Sequence, residues 1–253
     1  MKKNKKVKQQ LATISTTPEG DFSEIDLLKK TEHYIKGIGH MQDRMMAEQK
    51  RSILIVLQGM DASGKDGTVK KVFSGINPSG VEVHSFKVPT EEEFAHDFLW
   101  RIHSKVPAKG KIGVFNRSHY EDILVPSVHK STNIPEQFIQ QRMKDINHFE
   151  QLLENNNTIV LKFYLHISQD EQGKRFSKRM KNPKKMWKFS KKDIQESKSW
   201  SKYMETYEKI FTQCPGWHII PADNKHYRNY LIAKAIHDKM KKCNFQYPKT
   251  FRG

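Results

Sequence analysis

Apolar positions along the chain follow two periods. Between Asp21 and Lys50 they recur at Ile25, Leu28, Ile35, Ile38, Met41 and Met45, a helical spacing that predicts one helix or a pair. RSILIVLQ (51–58) replaces that rhythm with an unbroken apolar run, which suits a strand buried on both faces of a parallel sheet. TVKKVFSGI returns to helix, VEVHSFKV (81–88) predicts a second strand stopped by Pro89, and EEEFAHDFLWRIHSKV (91–106) predicts a single helix with acidic residues in its first turn. KIGVFN predicts the third strand and NIPEQFIQQRMKDINHFEQLLENN a long helix from about Pro135. TIVLKFYLHI is expected as the fourth strand, WHIIPA as the last, and YRNYLIAKAIHDKMKK as the closing helix. Strands alternating with helices, without internal repeats, predict an α/β fold with a mostly parallel sheet. Two stretches stand apart. Residues 1–20 are polar and aperiodic and predict a flexible basic tail, while 169–215 are basic, dotted with aromatics and helical in period.

Composition narrows the class. With 253 residues, 36% of them hydrophobic, the chain can bury the core of one large domain or of a domain with a subdomain. No run of eighteen apolar residues predicts a membrane span. MKKNKKVKQQ is basic, but LATISTTPEGDF follows it instead of the apolar stretch of a secretory signal. Cys214 and Cys243 make neither a metal-spaced set nor a disulfide framework, so a reduced cytoplasmic setting is expected. The formal charge of +17 predicts a polyanionic partner: nucleic acid, anionic lipid, nucleotide or polyphosphate. Charge alone does not choose among them.

The loop GMDASGKDG, between the first strand and the next helix, makes a choice possible. Gly59, Met60, Asp61, Ala62, Ser63, Gly64 and Lys65 fit G-x-x-x-x-G-K without the final Ser or Thr. Glycines let the backbone curl so that its N–H groups converge on an anion, and the helix that follows turns its positive end to the same place. Lys65 adds a mobile cation. Asp66 stands where a metal-binding hydroxyl is usual, followed by Gly67. It either helps hold a cation or caps the helix, and Asp61 is a second carboxylate in the same space. Two anions in a phosphate cradle need compensating cations, so the loop predicts Mg²⁺, with Asp61 and Asp66 as metal candidates.

A second cluster, FNRSHYEDIL (115–124), begins at the carboxyl end of the third strand, where open α/β sheets place ligands. Arg117 there either stabilises a phosphoryl group in transfer or joins a loop ion-pair network. Glu121 and Asp122 are placed to hold metal or orient Arg117. Together with these two motifs, RFSKRMKNPKKMWKFSKKD and WHIIPADNKHYRN resemble, in order and from about residue 25 to 240, the family-2 polyphosphate kinases.

That resemblance implies a P-loop kinase-like three-layer α/β/α sandwich, in a single domain over 21–253 with a helical lid at about 169–215. It implies reversible, Mg²⁺-dependent transfer (Mn²⁺ as substitute) of the terminal phosphoryl of inorganic polyphosphate to a nucleoside mono- or diphosphate. The expected acceptors are ADP and AMP, with GDP and GMP as further candidates. Asp61, Lys65, Arg117 and Arg175 match the catalytic set, with Asn116, Glu121, Arg179, Lys184 and Lys188 in matching binding motifs. Many members carry Asp where Asn116 stands; the neutral residue resembles the subgroup that takes both mono- and diphosphates. Dimers or tetramers are implied, with neither membrane nor nucleic acid among the partners.

The basic lid is either a solvated face or a track for a polyanion bound largely by counterion release. Trp187, Phe189 and Trp217 either pack or flank a base. No phosphohistidine motif is evident, so direct transfer is expected. The rival readings are an ATP-dependent nucleotide or metabolite kinase and a nucleic-acid-binding protein with a degenerate P-loop.

Overall fold

The computed structural model describes residues 10–129, 134–184, 186–188 and 195–249. Its centre is a sheet of five parallel strands in the order β2-β3-β1-β4-β5. These are β1 (Ser52–Gln58), β2 (Val81–His84), β3 (Ile112–Asn116), β4 (Thr158–His166) and β5 (Trp217–Pro221). The apolar run of β1 has its explanation in the layers. Ile53, Ile55 and Leu57 face a core built with α1 (Glu24–Glu48), α2 (Lys65–Val72) and α9 (Lys225–Cys243). Leu54 and Val56 face a second core built with α5 (Glu121–Val128), α6 (Glu136–Asn155) and α8 (Trp200–Gln213). All seven residues of β1 are buried, each large apolar side chain contributing roughly 1.5–3 kcal/mol. The result is the expected three-layer α/β/α sandwich, with helix α7 (Gln169–Met180) following β4. Among the described residues no helix is long and apolar enough to cross a membrane.

Because the strands are parallel, all their carboxyl ends lie along one edge. Leu57 is in register with Asn116, so the P-loop that follows Gln58 and the loop that follows Asn116 emerge side by side. β1 leads across β3 to the edge strand β2, whereas β3 leads across β1 to β4. That reversal opens a crevice at the carboxyl ends of β1 and β3.

Three expectations change. Residues 10–20, expected as part of a flexible tail, are tied to the core: Leu11 is buried, its N–H donates to Glu208 Oε1 (2.8 Å) and its carbonyl accepts from His166 Nε2 (3.2 Å). Thr16 Oγ1 donates to Asp223 Oδ2 (2.7 Å). Leu11, with Ile14 packed partly buried against the same core, decides this against the polarity around it; residues 1–9 lie outside the described residues.

The helix expected over 91–106 is two, α3 (Glu91–Ala95) and α4 (Trp100–His103). Thr90 and Glu93 cap the first reciprocally, but His96 is extended and Asp97 Oδ1 accepts the Leu99 N–H (2.9 Å), a local bond that competes with the helix. The second strand ends at His84, at the sheet edge. Beyond it Arg101 Nη1 binds the Lys87 carbonyl (2.8 Å) and draws the chain away from β3.

Leu11→Ala is expected to cost roughly 2–4 kcal/mol of unfolding free energy in urea titration, the magnitude of a core truncation. A cost near zero would mean that the segment is the free tail its polarity predicts.

Candidate active site

Three loop residues take left-handed backbone: Gly59 (φ +149), Ala62 (φ +62) and Gly64 (φ +103). At Gly59 a Cβ would meet Leu165 O at 2.8 Å and Ser63 Oγ at 2.9 Å. At Gly64 it would lie 1.9 Å from Nη1 of Arg228, so glycine is required there both by conformation and by the close approach of a guanidinium. Met60 and Ser63 are buried beneath the loop. Lys65 is also buried, and its Nζ donates to Gly59 O (2.6 Å) and Met60 O (3.3 Å). An ammonium has three donors, which leaves one for a phosphate oxygen. Burial pulls the Lys65 pKa below its ordinary value, against Asp61, which raises it.

Opposite the loop, Arg117 is itself left-handed (φ +67) and its Nη2 donates to Asp61 Oδ1 (2.8 Å). Burial works against the Arg117 charge, but Asp61 and Glu121 outweigh it and raise the pKa. Burial likewise pushes the Glu121 carboxyl up, in spite of Lys65 and Arg117 nearby. Asn116 Nδ2 donates to Asp66 Oδ1 (2.9 Å), so Asp66 does not cap α2, whose N-cap is Gly64 with no side-chain bond. Asp122 turns away, paired with Arg101 (3.2 Å). Glu121, but not Asp122, belongs to the group around Arg117.

These residues wall a cleft of about 890 Å³, lined by Asp61, Lys65, Asp66, Asn116 and Arg117. Gly67, Lys70, Lys87, Arg179, Lys184 and Trp187 complete its rim. Asp61 and Asp66 offer it hard oxygen ligands. Mg²⁺ is usually held by one or two carboxylates with waters and substrate phosphates, so this donor set fits it. Among the described residues no three acidic, His or Cys side chains form a metal cage, and substrate phosphates would complete the shell. The side chain of Lys188 and all of Phe189 lie outside the described residues. Trp217 packs against Tyr120 and Phe211 and does not reach the cleft, whereas Trp187 is 76% exposed at its edge.

Arg175 is placed differently from the other three expected catalytic residues. Its Nε binds Glu171 Oε1 (2.8 Å), its Nη1 binds Ala62 O and Ser63 O (both 2.9 Å), and its Nη2 binds Ala222 O (2.6 Å) and Asp223 O (2.9 Å). The guanidinium is a clamp joining α7, the P-loop and the loop after β5. Arg228 of α9 supports the same loop, Nη1 donating to Ser63 O (3.2 Å), and burial, then Arg175, lowers its pKa to about 10.

Both arginines wall a second cavity of about 560 Å³, on the other side of the P-loop, with Lys178, Arg179, Lys225 and His226. Sequence reasoning counted Lys178 only among the cations of the basic lid and gave no role to Lys87, Lys225, His226 or Arg228. One signal was available for the last three: KHYRN opens a helix with cations, against the macrodipole, a pattern that makes sense if an anion sits there.

A five-stranded parallel sheet in this order, with a lysine-bearing glycine loop and an arginine facing it across the cleft, defines a P-loop phosphotransferase. Comparison with known proteins narrows the class. The family model described as Polyphosphate kinase 2 (PPK2) matches residues 24–248. The AMP/ADP-polyphosphate phosphotransferase of Meiothermus ruber is 46% identical over 212 residues, 82% of this chain and 79% of that protein. The ADP-polyphosphate phosphotransferase of Rhodopseudomonas palustris is 38% identical over 240 residues, 87% and 83% of the two chains. The crystal structure of polyphosphate kinase 2 from Arthrobacter aurescens TC1 superposes with a TM-score of 0.91 at 34% identity, covering 96% of this chain and 89% of that one. The chain belongs to the polyphosphate kinase 2 family, enzymes that transfer phosphoryl groups between polyphosphate and nucleotides.

Arg175→Ala is expected to lower stability by roughly 2–4 kcal/mol, since it leaves buried carbonyls without donors. Urea unfolding measures this. Loss of activity with stability unchanged would mean that Arg175 meets substrate directly and is no clamp.

Proposed function

We propose that the enzyme moves the terminal phosphoryl group of inorganic polyphosphate onto a nucleoside mono- or diphosphate, AMP and ADP foremost, reversibly and in line, with Mg²⁺. The observation that carries this reading is the meeting of two cation-lined cavities at one P-loop. Ala62, Gly64, Gly67 and Arg179 line both. The larger has an exposed indole, Trp187, at its rim and suits a nucleotide. In the smaller, five lysines and arginines (Arg175, Lys178, Arg179, Lys225 and Arg228) outnumber the carboxylates of Glu24, Glu171 and Asp223, and no Trp, Tyr or Phe lines it, which suits a chain of phosphates that has no base to stack. A phosphoryl group over Gly64 would be reached from both sides.

The residues then divide the work. The third donor of Lys65 and the N–H groups of the loop hold the oxygens of the transferred group. Arg117, aimed by Asp61, carries the charge spread over its equatorial oxygens. The attacking oxygen of an acceptor phosphate is anionic near neutrality, because a phosphate monoester loses its second proton at about pH 6, so no general base is needed. Asp61 and Asp66 would hold Mg²⁺, which would supply neutralisation of the phosphate charge.

Asn116 supports acceptance of monophosphates as well as diphosphates. Its amide can pair with Asp66, where an aspartate would repel it, and the Meiothermus ruber relative is named for both acceptors. A cytoplasmic homo-oligomer, dimer or tetramer, belongs to the same proposal; the free thiols of Cys214 and Cys243 fit a reducing compartment.

With polyphosphate and Mg²⁺, AMP is expected to yield ADP and ATP, and ADP to yield ATP. Nucleotide phosphorylated without polyphosphate would overturn the reading. Arg117→Ala should lower kcat by about 10²–10³-fold, as loss of a transition-state donor does, and Lys65→Ala should abolish turnover in a folded protein. Lys178→Gln with Lys225→Gln should raise KM for polyphosphate and spare KM for the nucleotide. The salt dependence of polyphosphate binding should become shallower, by about one unit of log–log slope for each phosphate-binding cation removed. A rise in the nucleotide KM alone would exchange the two cavities.

A further inference from the structure

Arg117 holds a conformation that a residue with a side chain seldom adopts. In front, two bonds fix it: its N–H to Leu57 O (3.2 Å) and its Nη2 to Asp61. Behind it, Ser118, His119 and Tyr120 are fully buried and lead into a polar cluster beneath α6. Tyr120 OH donates to Glu150 Oε1 (2.8 Å), and His119 Nε2 lies 3.4 Å from the same oxygen. Lys162 of β4 donates to Glu150 Oε2 (2.5 Å) and to Tyr120 OH (3.1 Å), with its ammonium 5.5 Å from the ring centres of Tyr120 and Trp217. His119, Tyr120, Glu150 and Lys162 are each at least nine-tenths buried, and none lines the cleft.

Such a pair is a poor device for stability alone. Two buried charges lose their hydration, and an apolar pair of the same volume usually serves the fold as well or better. The cluster joins three elements: α6 through Glu150, β4 through Lys162, and the turn between β3 and α5 through His119 and Tyr120. That turn carries Arg117 and leads into Glu121, the first residue of α5. Burial pushes the Glu150 carboxyl up, but His119 and Lys162 outweigh it and hold it below the usual range, so it remains an acceptor. Burial and Glu150 together keep the Tyr120 hydroxyl protonated, a donor at any working pH.

We propose that the Lys162–Glu150–Tyr120 network is a positioning device for phosphoryl transfer, fixing the chain three residues beyond Arg117 so that its guanidinium stays aimed across the P-loop. Tyr120 and Glu150 touch no substrate and act through Arg117. The inference rests on the role given to Arg117 above.

Tyr120→Phe removes one hydroxyl and leaves the ring and the ion pair in place. It should lower kcat about ten- to hundred-fold, as small misplacements of a catalytic group do. Both KM values should stay within about twofold, since ground-state binding is untouched. In an Arg117→Ala background the same change should cost nothing further, because the group it positions is gone.

A normal kcat for Tyr120→Phe, or the same loss in both backgrounds, overturns the proposal. If that variant does not fold, Glu150→Leu with Lys162→Met removes both charges and strands neither. It should fold and show the same fall in kcat, and full activity in it overturns the proposal. Should Arg117→Ala alone leave kcat intact, the role of Arg117 fails first, whatever the network does.

Discussion

A phosphate cradle is made of peptide groups, and peptide groups must be held the right way round. In each planar peptide the carbonyl and the N–H point in opposite directions. Arg175 and Arg228 both grip the Ser63 carbonyl from outside, and Arg175 takes the Ala62 carbonyl as well. The Gly64 N–H, anti to the Ser63 carbonyl, is thereby turned to the opposite side. The left-handed angles at Ala62 and Gly64 make the curl possible, and the two guanidinium groups make it persist. The anion site is thus imposed by cations that face away from the anion's reacting end.

The arrangement is electrostatically expensive before substrate arrives. Arg175 and Arg228 share one loop, and burial together with that neighbour lowers the Arg228 pKa to about 10. Lys178, Arg179 and Lys225 add charge to the same cavity. Glu171 on Arg175 and Glu24 on His226 offset part of this, and on the proposed function a chain of phosphates entering there would relieve the rest, so that binding energy would come partly from strain already present in the free protein. Across the loop the same principle applies in a backbone. Arg117 sits at positive φ, a cost of order 1–3 kcal/mol that persists only where surroundings over-determine it. The buried cluster of Glu150, Lys162 and Tyr120 supplies those surroundings.

Much of this was legible in the chain. β1 announces itself by its unbroken apolar run, because both its faces are covered. Gly59 to Lys65 announce the cradle by spacing, and Asn116 and Arg117 by lying where a strand ends. What was not legible depends on partners far along the chain. Resemblance places Arg175 in the catalytic set, but the clamp it forms, five hydrogen bonds of which four go to backbone carbonyls, could not be read from the chain, because carbonyls carry no sequence signature. Arg228 lies 164 residues beyond Gly64, and although it falls in the WHIIPADNKHYRN motif, its contact with the loop is hinted at only by its awkward position in the first turn of a helix. Leu11 and Ile14 are two large apolar residues in a polar tract, too few for a periodicity. The break between α3 and α4 turns on the Asp97 side chain, whose choice between solvent and the Leu99 N–H is local and conformational.

The asymmetry of the two cavities bears on why such an enzyme needs no adenine-shaped donor site. In a kinase that uses ATP, the donor's base must be held as firmly as its phosphates, which calls for an apolar slot beside the P-loop. In the arrangement proposed above, the cavity on that side has more lysines and arginines than carboxylates and no aromatic ring, and the exposed indole is on the other. A donor gripped only by spaced cations can slide by one phosphate and present a new terminus without releasing its base, because it has none. The acceptor has one base and one phosphate end, and needs a fixed register. A mainly cationic wall without a stacking ring for the repeating partner, and a stacking edge for the unique one, is the division of labour that their chemistry requires.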